Sequence, residues 1–435
     1  MLTGTLTFTR RVTMKRFISI LLAFILLISL STNVFSSGFT AEISGFYVET
    51  ADVPSYIDEY ATYVFSNIGI DVISKFLIPY TNTDEITLSQ GFRMIDVDTM
   101  EYSDIAYYYL IYSSNGALGI MTISDDNGKL GYQIERNQLA FDIFSALKDG
   151  SEPYKIYVSD DAYYFARGNN VTHVSYISSI QKELDTASKK NYIKVTDISS
   201  KQPTVTSYPS KKITNPLATR QLDVNNISIN SANSSSSYGD ILTIVPVDNA
   251  AIYVNGESHY TCWASVIAAV SYYYKTGCSN TYSDDDINAA SLLRYGVIAE
   301  RLNDTNNDPG TSIADTVYYV NERISEYGYG FLSYYYKPSK LDIISIMNST
   351  TNRHPSITGW YSTSNNIGHA MVLCGYSYDS STALYTVFLS DPNSQPVEVS
   401  PGITIHPVAI CGYDSSYVIG SNLYVWNTTA CVNWY

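Results

Sequence analysis

The stretch ESHYTCWASVIAAVSYYYKTG, Glu257–Gly277, decides how the C-terminal half of the chain is read. It sets Cys262 directly before Trp263 and then runs through small and apolar residues. Val266, Ile267, Ala269, Val270 and Tyr273 fall at helix-compatible spacing, so a helix opening at the cysteine is predicted. A thiol in that position has two readings. One is an inert core thiol, because free cysteine is among the most buried residue types. The other is a nucleophile, because the partial positive charge of a helix N-terminus favours the thiolate.

A cysteine nucleophile needs a histidine that stores its proton and later returns it to the leaving group. The chain has five: His173, His259, His354, His369 and His406. His369 stands in NNIGHAMVLCGYSYD, where a glycine-containing turn leads into a strand-like run. A histidine at the lip of a strand can face a helix N-terminus across a cleft, and it then needs a partner that fixes its tautomer. The next strand-like run, YTVFLSDPN, ends at Asp391, and a reversal at Pro392–Asn393 is predicted to bring Asp391 beside His369. Asn393 is the alternative orienting residue. His259 is read as exposed on an irregular loop, with lining of the cleft as the alternative.

Cys-Trp-Ala-Ser at a helix start, then Gly-His-Ala-Met-Val-Leu-Cys-Gly-Tyr, then a strand ending Ser-Asp-Pro, resembles the papain-like cysteine peptidases. The likeness is to the secreted bacterial branches, the C39-like and the staphopain- or streptopain-like groups, and it covers about 241–435. The interval from Cys262 to His369 is shorter than the roughly 130–150 residues of the papain and cathepsin group, which favours a compact bacterial branch. The resemblance implies an α+β papain-like domain, a helical part plus an antiparallel sheet, preceded by a small α+β prodomain. It implies Cys262 as nucleophile, His369 as general base and acid, and Asp391 as the orienting residue. It further implies a peptide or protein substrate, no cofactor, and the chain's own N-terminal prodomain as inhibitor. One position departs from the pattern. The family places a glutamine about six residues before the cysteine to hold the oxyanion, and here that position is Gly256. The Cys262 backbone N–H remains a donor, and Asn255 and Ser258 are candidates for the second. Losing one such donor costs roughly 10²–10³ in rate. A catalytically impaired papain-like binding protein is therefore the alternative, and acyl transfer to an amine would use the same triad.

Composition narrows the setting. The chain of 435 residues carries a net charge of −15, and only 15% of its residues are charged. No Lys/Arg-rich block lies outside the N-terminus, which argues against nucleic acid as a partner, since phosphate binding needs clustered cations. Lys15 and Arg16 precede the apolar run FISILLAFILLISL, Phe17–Leu30, and small residues follow. That is the pattern of a secretory signal peptide, read here as 1–37, and the run is short for a membrane span. The expectation is a secreted, extracellular protein with no stable membrane anchor after signal cleavage.

Beyond the signal, 38–193 is read as an N-terminal α+β region. It has a helix at Ser55–Phe76, a hairpin about Asn115–Gly116 and a second helix in QLAFDIFSALKDG. The segment 194–239 is rich in Ser, Thr, Asn, Lys and Pro and is read as a flexible, cleavable linker. The catalytic region is read as 240–435. In it, Ser283 with Asp286 and Ser312 with Asp315 have capping-box spacing, with helix ends expected at Gly296 and Gly328. The cysteines number five, an odd count, and no Cys/His metal spacing occurs among them. Cys411 and Cys431 are a candidate pair across C-terminal strands.

Overall fold

Serine three residues ahead of aspartate starts helices in this protein as the sequence predicts. In the computed structural model, residues 48–68, most of 86–177, three short strands between 210 and 238, and most of 242–432 are described. Among the described residues the α-helices are α1 (Ser55–Ile68), α2 (Gln138–Ala146), α3 (Cys262–Lys275), α4 (Asp284–Asp304), α5 (Ile313–Ile324) and α6 (Lys340–Met347). Ser283 Oγ accepts the backbone N–H of Asp286 while the Asp286 carboxylate accepts that of Ser283, and Ser312 and Asp315 repeat the exchange. These boxes satisfy backbone donors that the first helical turn leaves unpaired. Asp286 also accepts from the Tyr272 hydroxyl at 2.6 Å, so the acidic run 284–286 ties α4 to α3.

One helix end departs from expectation. α4 runs through Gly296 to Asp304. Val297 and Ile298 are buried and continue its apolar face, and that burial outweighs the roughly 1 kcal/mol cost of an interior glycine. After α5 the chain closes as predicted, in a 3₁₀ turn that ends at Gly328 with φ +82°. Of the helix expected over Ser55–Phe76, α1 covers the first part, and the rest lies outside the described residues.

The sheet is antiparallel and built from alternating β-branched and aromatic runs. Its strands in the N-terminal half are β1 (Ala106–Ser113), β2 (Gly116–Asp126) and β3 (Lys129–Glu135). A smaller sheet holds β4 (Lys155–Val158), β5 (Ala162–Arg167) and β6 (Asn170–Tyr176) beside a two-residue strand, Ile95–Asp96. The C-terminal half adds a hairpin, β7 (Ile252–Val254) and β8 (Glu257–His259), and then β9 (Phe331–Tyr334), β10 (Ser356–Ser362), β11 (Ile367–Asp379) and β12 (Leu384–Ser390). β13 (Val408–Gly412), β14 (Tyr417–Ile419) and β15 (Asn422–Val432) complete it. The large sheet runs in the order β1-β2-β3-β13-β12-β11-β10-β15-β9. β1 and β2 form the expected hairpin, with Ser113 opposite Gly116; Asn115 lies outside the described residues.

Strands from the two halves of the chain are therefore neighbours in one sheet, joined where Ile134 pairs with Ile410 and Gln133 with Cys411. One hydrophobic core serves both halves. It holds Ile57, Tyr109 and Ile134 together with Ile267, Trp360 and Phe388. The smaller sheet keeps a cluster of its own around Ile95, Tyr157, Ala166 and Val171.

Cys262, Cys374, Cys411 and Cys431 are all free thiols. The candidate pair Cys411–Cys431 is not formed. Their strands β13 and β15 are separated by β12, β11 and β10, and four strand steps of about 4.8 Å make about 19 Å, far beyond disulfide reach. Cys374 sits at a bulge in the β11–β12 ladder and donates its S–H to the Phe388 carbonyl at 3.2 Å.

Trp360 anchors the centre of the sheet. It is 1% exposed, stacks on Trp426 with ring centroids 5.6 Å apart, and donates its indole N–H to Thr358 Oγ1 at 2.9 Å. Truncation to alanine removes the buried ring, its stack on Trp426 and its hydrogen bond to Thr358. Trp360→Ala is expected to destabilise the protein by about 3–5 kcal/mol, read as a lower midpoint in guanidinium unfolding. A midpoint within error of wild type would show that the site collapses freely.

Candidate active site

Cys262 is the first residue of α3, after the N-cap Thr261. The Thr261 hydroxyl accepts a hydrogen bond from the buried Arg294 guanidinium of α4 and does not cap the helix. Every residue of α3 except Lys275 is buried, so the sequence that looked apolar on all sides is a central helix. Trp263 packs toward Tyr319 of α5, with ring centroids 6.3 Å apart. The start of α3 is thus held by its neighbours, and the cysteine is presented at the edge of the core, 8% exposed.

His369 enters from β11, paired in register with Trp360 of β10. It is 6% exposed and Asp391 3% exposed. Asp391 follows the last residue of β12, and its carbonyl accepts from the backbone N–H of Ser394, which closes the predicted reversal. His369 Nε2 and Asp391 Oδ1 are 2.8 Å apart. The Asp391 carboxylate also accepts the backbone N–H of Asn393 at 2.8 Å and the Tyr417 hydroxyl at 3.1 Å. Asp391, not Asn393, is therefore the partner of the imidazole, and the backbone of Asn393 steadies Asp391.

Burial alone would lower the pKa of His369, but the Asp391 carboxylate outweighs it. With a smaller push from the facing Cys262 thiol, the imidazole rises from 6.5 to about 10. For Asp391 burial pushes upward, and the His369 imidazolium overcomes it and holds the carboxyl below its ordinary value. Both directions describe one arrangement, an imidazolium against a carboxylate. With Nε2 engaged by Asp391, Nδ1 is the ring nitrogen left to serve the thiol. Tyr424 bounds the ring on another side, with centroids 6.3 Å apart.

Cys262 and His369 line two hollows. The larger is a groove of about 570 Å³ walled by Trp263, Ile313, Ile357, Trp360 and Tyr361. The smaller, about 80 Å³, lies between Cys262, His369 and Tyr424 on one side and Asp160 and Ile177 of the N-terminal half on the other.

Asn255 lies outside the described residues, and so does the side chain of Ser258, whose backbone pairs with Tyr253 across the β7–β8 hairpin. His259 corrects the reading made for it. It ends a strand rather than sitting on an irregular loop and is half-buried rather than exposed, while the alternative holds, since it lines the larger groove. Two further described histidines are engaged elsewhere: His173 lies 2.9 Å from Asp142, and His354 3.0 Å from the Tyr274 hydroxyl; His406 lies outside the described residues. Sequence reading missed Tyr417 and Arg294, whose local context carries no signal of their role.

No protein-family model matches this chain, and a search of curated proteins finds no significant match.

Proposed function

We propose that this protein is a secreted cysteine peptidase of papain-like arrangement, hydrolysing peptide bonds through Cys262, His369 and Asp391. The observation that carries the reading is the 2.8 Å bond between buried His369 and buried Asp391, facing a cysteine at the start of a buried helix. In the reaction, the Cys262 thiolate attacks the scissile carbonyl and the tetrahedral oxyanion forms beside the N-terminus of α3. His369 gives its proton to the departing amine and a thioester remains. Water then attacks as His369 takes its proton, releasing the acid and restoring the Cys262 thiolate beside the His369 imidazolium. Asp391 holds the ring and stabilises the imidazolium.

The positions of Asp160 and Ile177 support a restraining role for the N-terminal half, because both residues border the hollow shared by Cys262 and His369. The basic, apolar and small-residue order of the first 37 residues supports export. That segment lies outside the described residues, and no described helix is long and apolar enough to cross a membrane.

The second reading, a papain-like binding protein, is favoured by Gly256 in place of the oxyanion glutamine. Alkylation separates the two. Burial pushes the Cys374 thiol up to about 12 and Cys431 to about 11, so both should be unreactive at neutral pH. Cys262 is expected to react with iodoacetamide at pH 7 at least about tenfold faster than either, and His369→Ala should remove that advantage. Peptide mass spectrometry reads each site. Equal reactivity of Cys262 and Cys431 would overturn the peptidase reading in favour of the binder.

A further inference from the structure

The Tyr417 hydroxyl is fully buried between two carboxylates that come from opposite halves of the chain. It donates to Asp391 Oδ2 at 3.1 Å and lies within hydrogen-bonding range of Glu135 Oε1. Tyr417 opens β14, and Glu135 closes β3. A phenol has one proton to share, so Glu135 fixes where the hydroxyl stands and thereby how it meets Asp391. Glu135 is held in turn. Gln133 Nε2 donates to its Oε1 at 3.2 Å and to the Val418 carbonyl at 2.8 Å, while the Val418 N–H donates to Gln133 Oε1 at 2.6 Å. The catalytic carboxylate thus rests on a chain of contacts that ends in the N-terminal half.

The seam around this chain is close-packed. Ser124 donates to the Ser416 carbonyl, Tyr132 N–H to Ser415 Oγ, and the Tyr132 and Thr386 hydroxyls are 2.7 Å apart. A Cβ at Gly412 would lie 2.3 Å from Ser415 Oγ and 2.7 Å from the Tyr132 ring, and one at Gly131 would lie 2.7 Å from Ser415 Cβ. Backbone ladder, shared core and glycine contacts make this seam the interior of one unit. A detachable inhibitor needs a surface that it can leave, and none of these features is of that kind.

We propose that Glu135 is a positioning residue for Asp391, acting through Tyr417, and that 106–135 stay in the catalytic unit when the 194–239 segment is cut. The kinetic part of this proposal rests on the peptidase reading; the retention of 106–135 does not. Restraint of the site then falls to the smaller sheet β4–β6. Asp160 lies between two of its strands, Ile177 just follows the third, and the sheet has its own cluster. Activation becomes a displacement of that sheet, with β1–β3 left in place.

Two measurements test the proposal. First, trypsin is directed at the Lys and Arg residues of 194–239 in the purified whole protein, and the products are separated by gel filtration without denaturant. The expected result is co-elution of the two fragments. A soluble C-terminal fragment that elutes alone would overturn the proposal, whether or not the protein hydrolyses peptides. Second, Tyr417→Phe and Glu135→Leu are each expected to lower kcat about 10-fold at unchanged KM, with the double variant no worse than the weaker single. Additive losses, or an unchanged kcat in Glu135→Leu, would overturn the positioning role. Should the wild type hydrolyse nothing, the peptidase reading fails separately. The rate of Cys262 alkylation then reads the same positions, with slower labelling in both variants supporting the proposal and unchanged labelling overturning it.

Discussion

Cys262→Ala is expected to reduce casein hydrolysis by about 10⁴-fold or more while leaving the melting temperature within a few degrees of wild type. The loss follows from the position of the sulfur. Cys262 is the thiol at the start of a helix that faces the His369–Asp391 pair, whereas Cys374, Cys411 and Cys431 are buried in strands. The retained stability follows from the same place. Alanine is the best helix former, and the lost atom borders two hollows, so no closed void is made. Hydrolysis above a tenth of wild type would place the nucleophile elsewhere. A large drop in melting temperature would show the thiol to be a core element.

Asp391→Asn is expected to lower kcat by about 10²–10⁴-fold, because an amide cannot stabilise the imidazolium and can select the wrong tautomer. It should also change how stability depends on pH. His369 is raised in the folded state, so its contribution is fully present below 6.5 and is lost as pH rises toward about 10. Asp391 is lowered, so its contribution is present above 3.8 and is lost as pH falls below that value. The melting-temperature gap between wild type and variant should therefore be widest from about pH 4 to 6.5 and should close toward pH 10. A gap that is flat across this range would mean that the pair is not ionised in the folded protein.

The parts of this site that were legible in the sequence are those encoded within one element or one turn. Cys262 could be placed at a helix start because the small and apolar run after it has no polar break. Asp391 could be placed beside His369 because a strand followed by a proline turn returns the chain to its neighbour. The two capping boxes read directly. What stayed hidden is partner choice. Gln133 and Glu135 sit in a strand whose alternation shows which face is buried but not which distant edge it meets. Tyr417 is one tyrosine among 41, and nothing near it in sequence marks the hydroxyl that touches Asp391. Local sequence puts a stop signal at Gly296, but tertiary burial of Val297 and Ile298 carries α4 on to Asp304.

Gln133 and Val418 hold each other across 285 positions of chain. Translation supplies the first long before the second, so β1–β3 exist for a time with the outer edge of β3 unpaired. An open strand edge is a template for other chains, and contacts of such sequence separation close late and slowly. The nascent protein therefore cannot finish its N-terminal half and move on. It must keep that edge soluble until β13 and β14 have been made, and any truncation that removes the final strands strands the first ones as well.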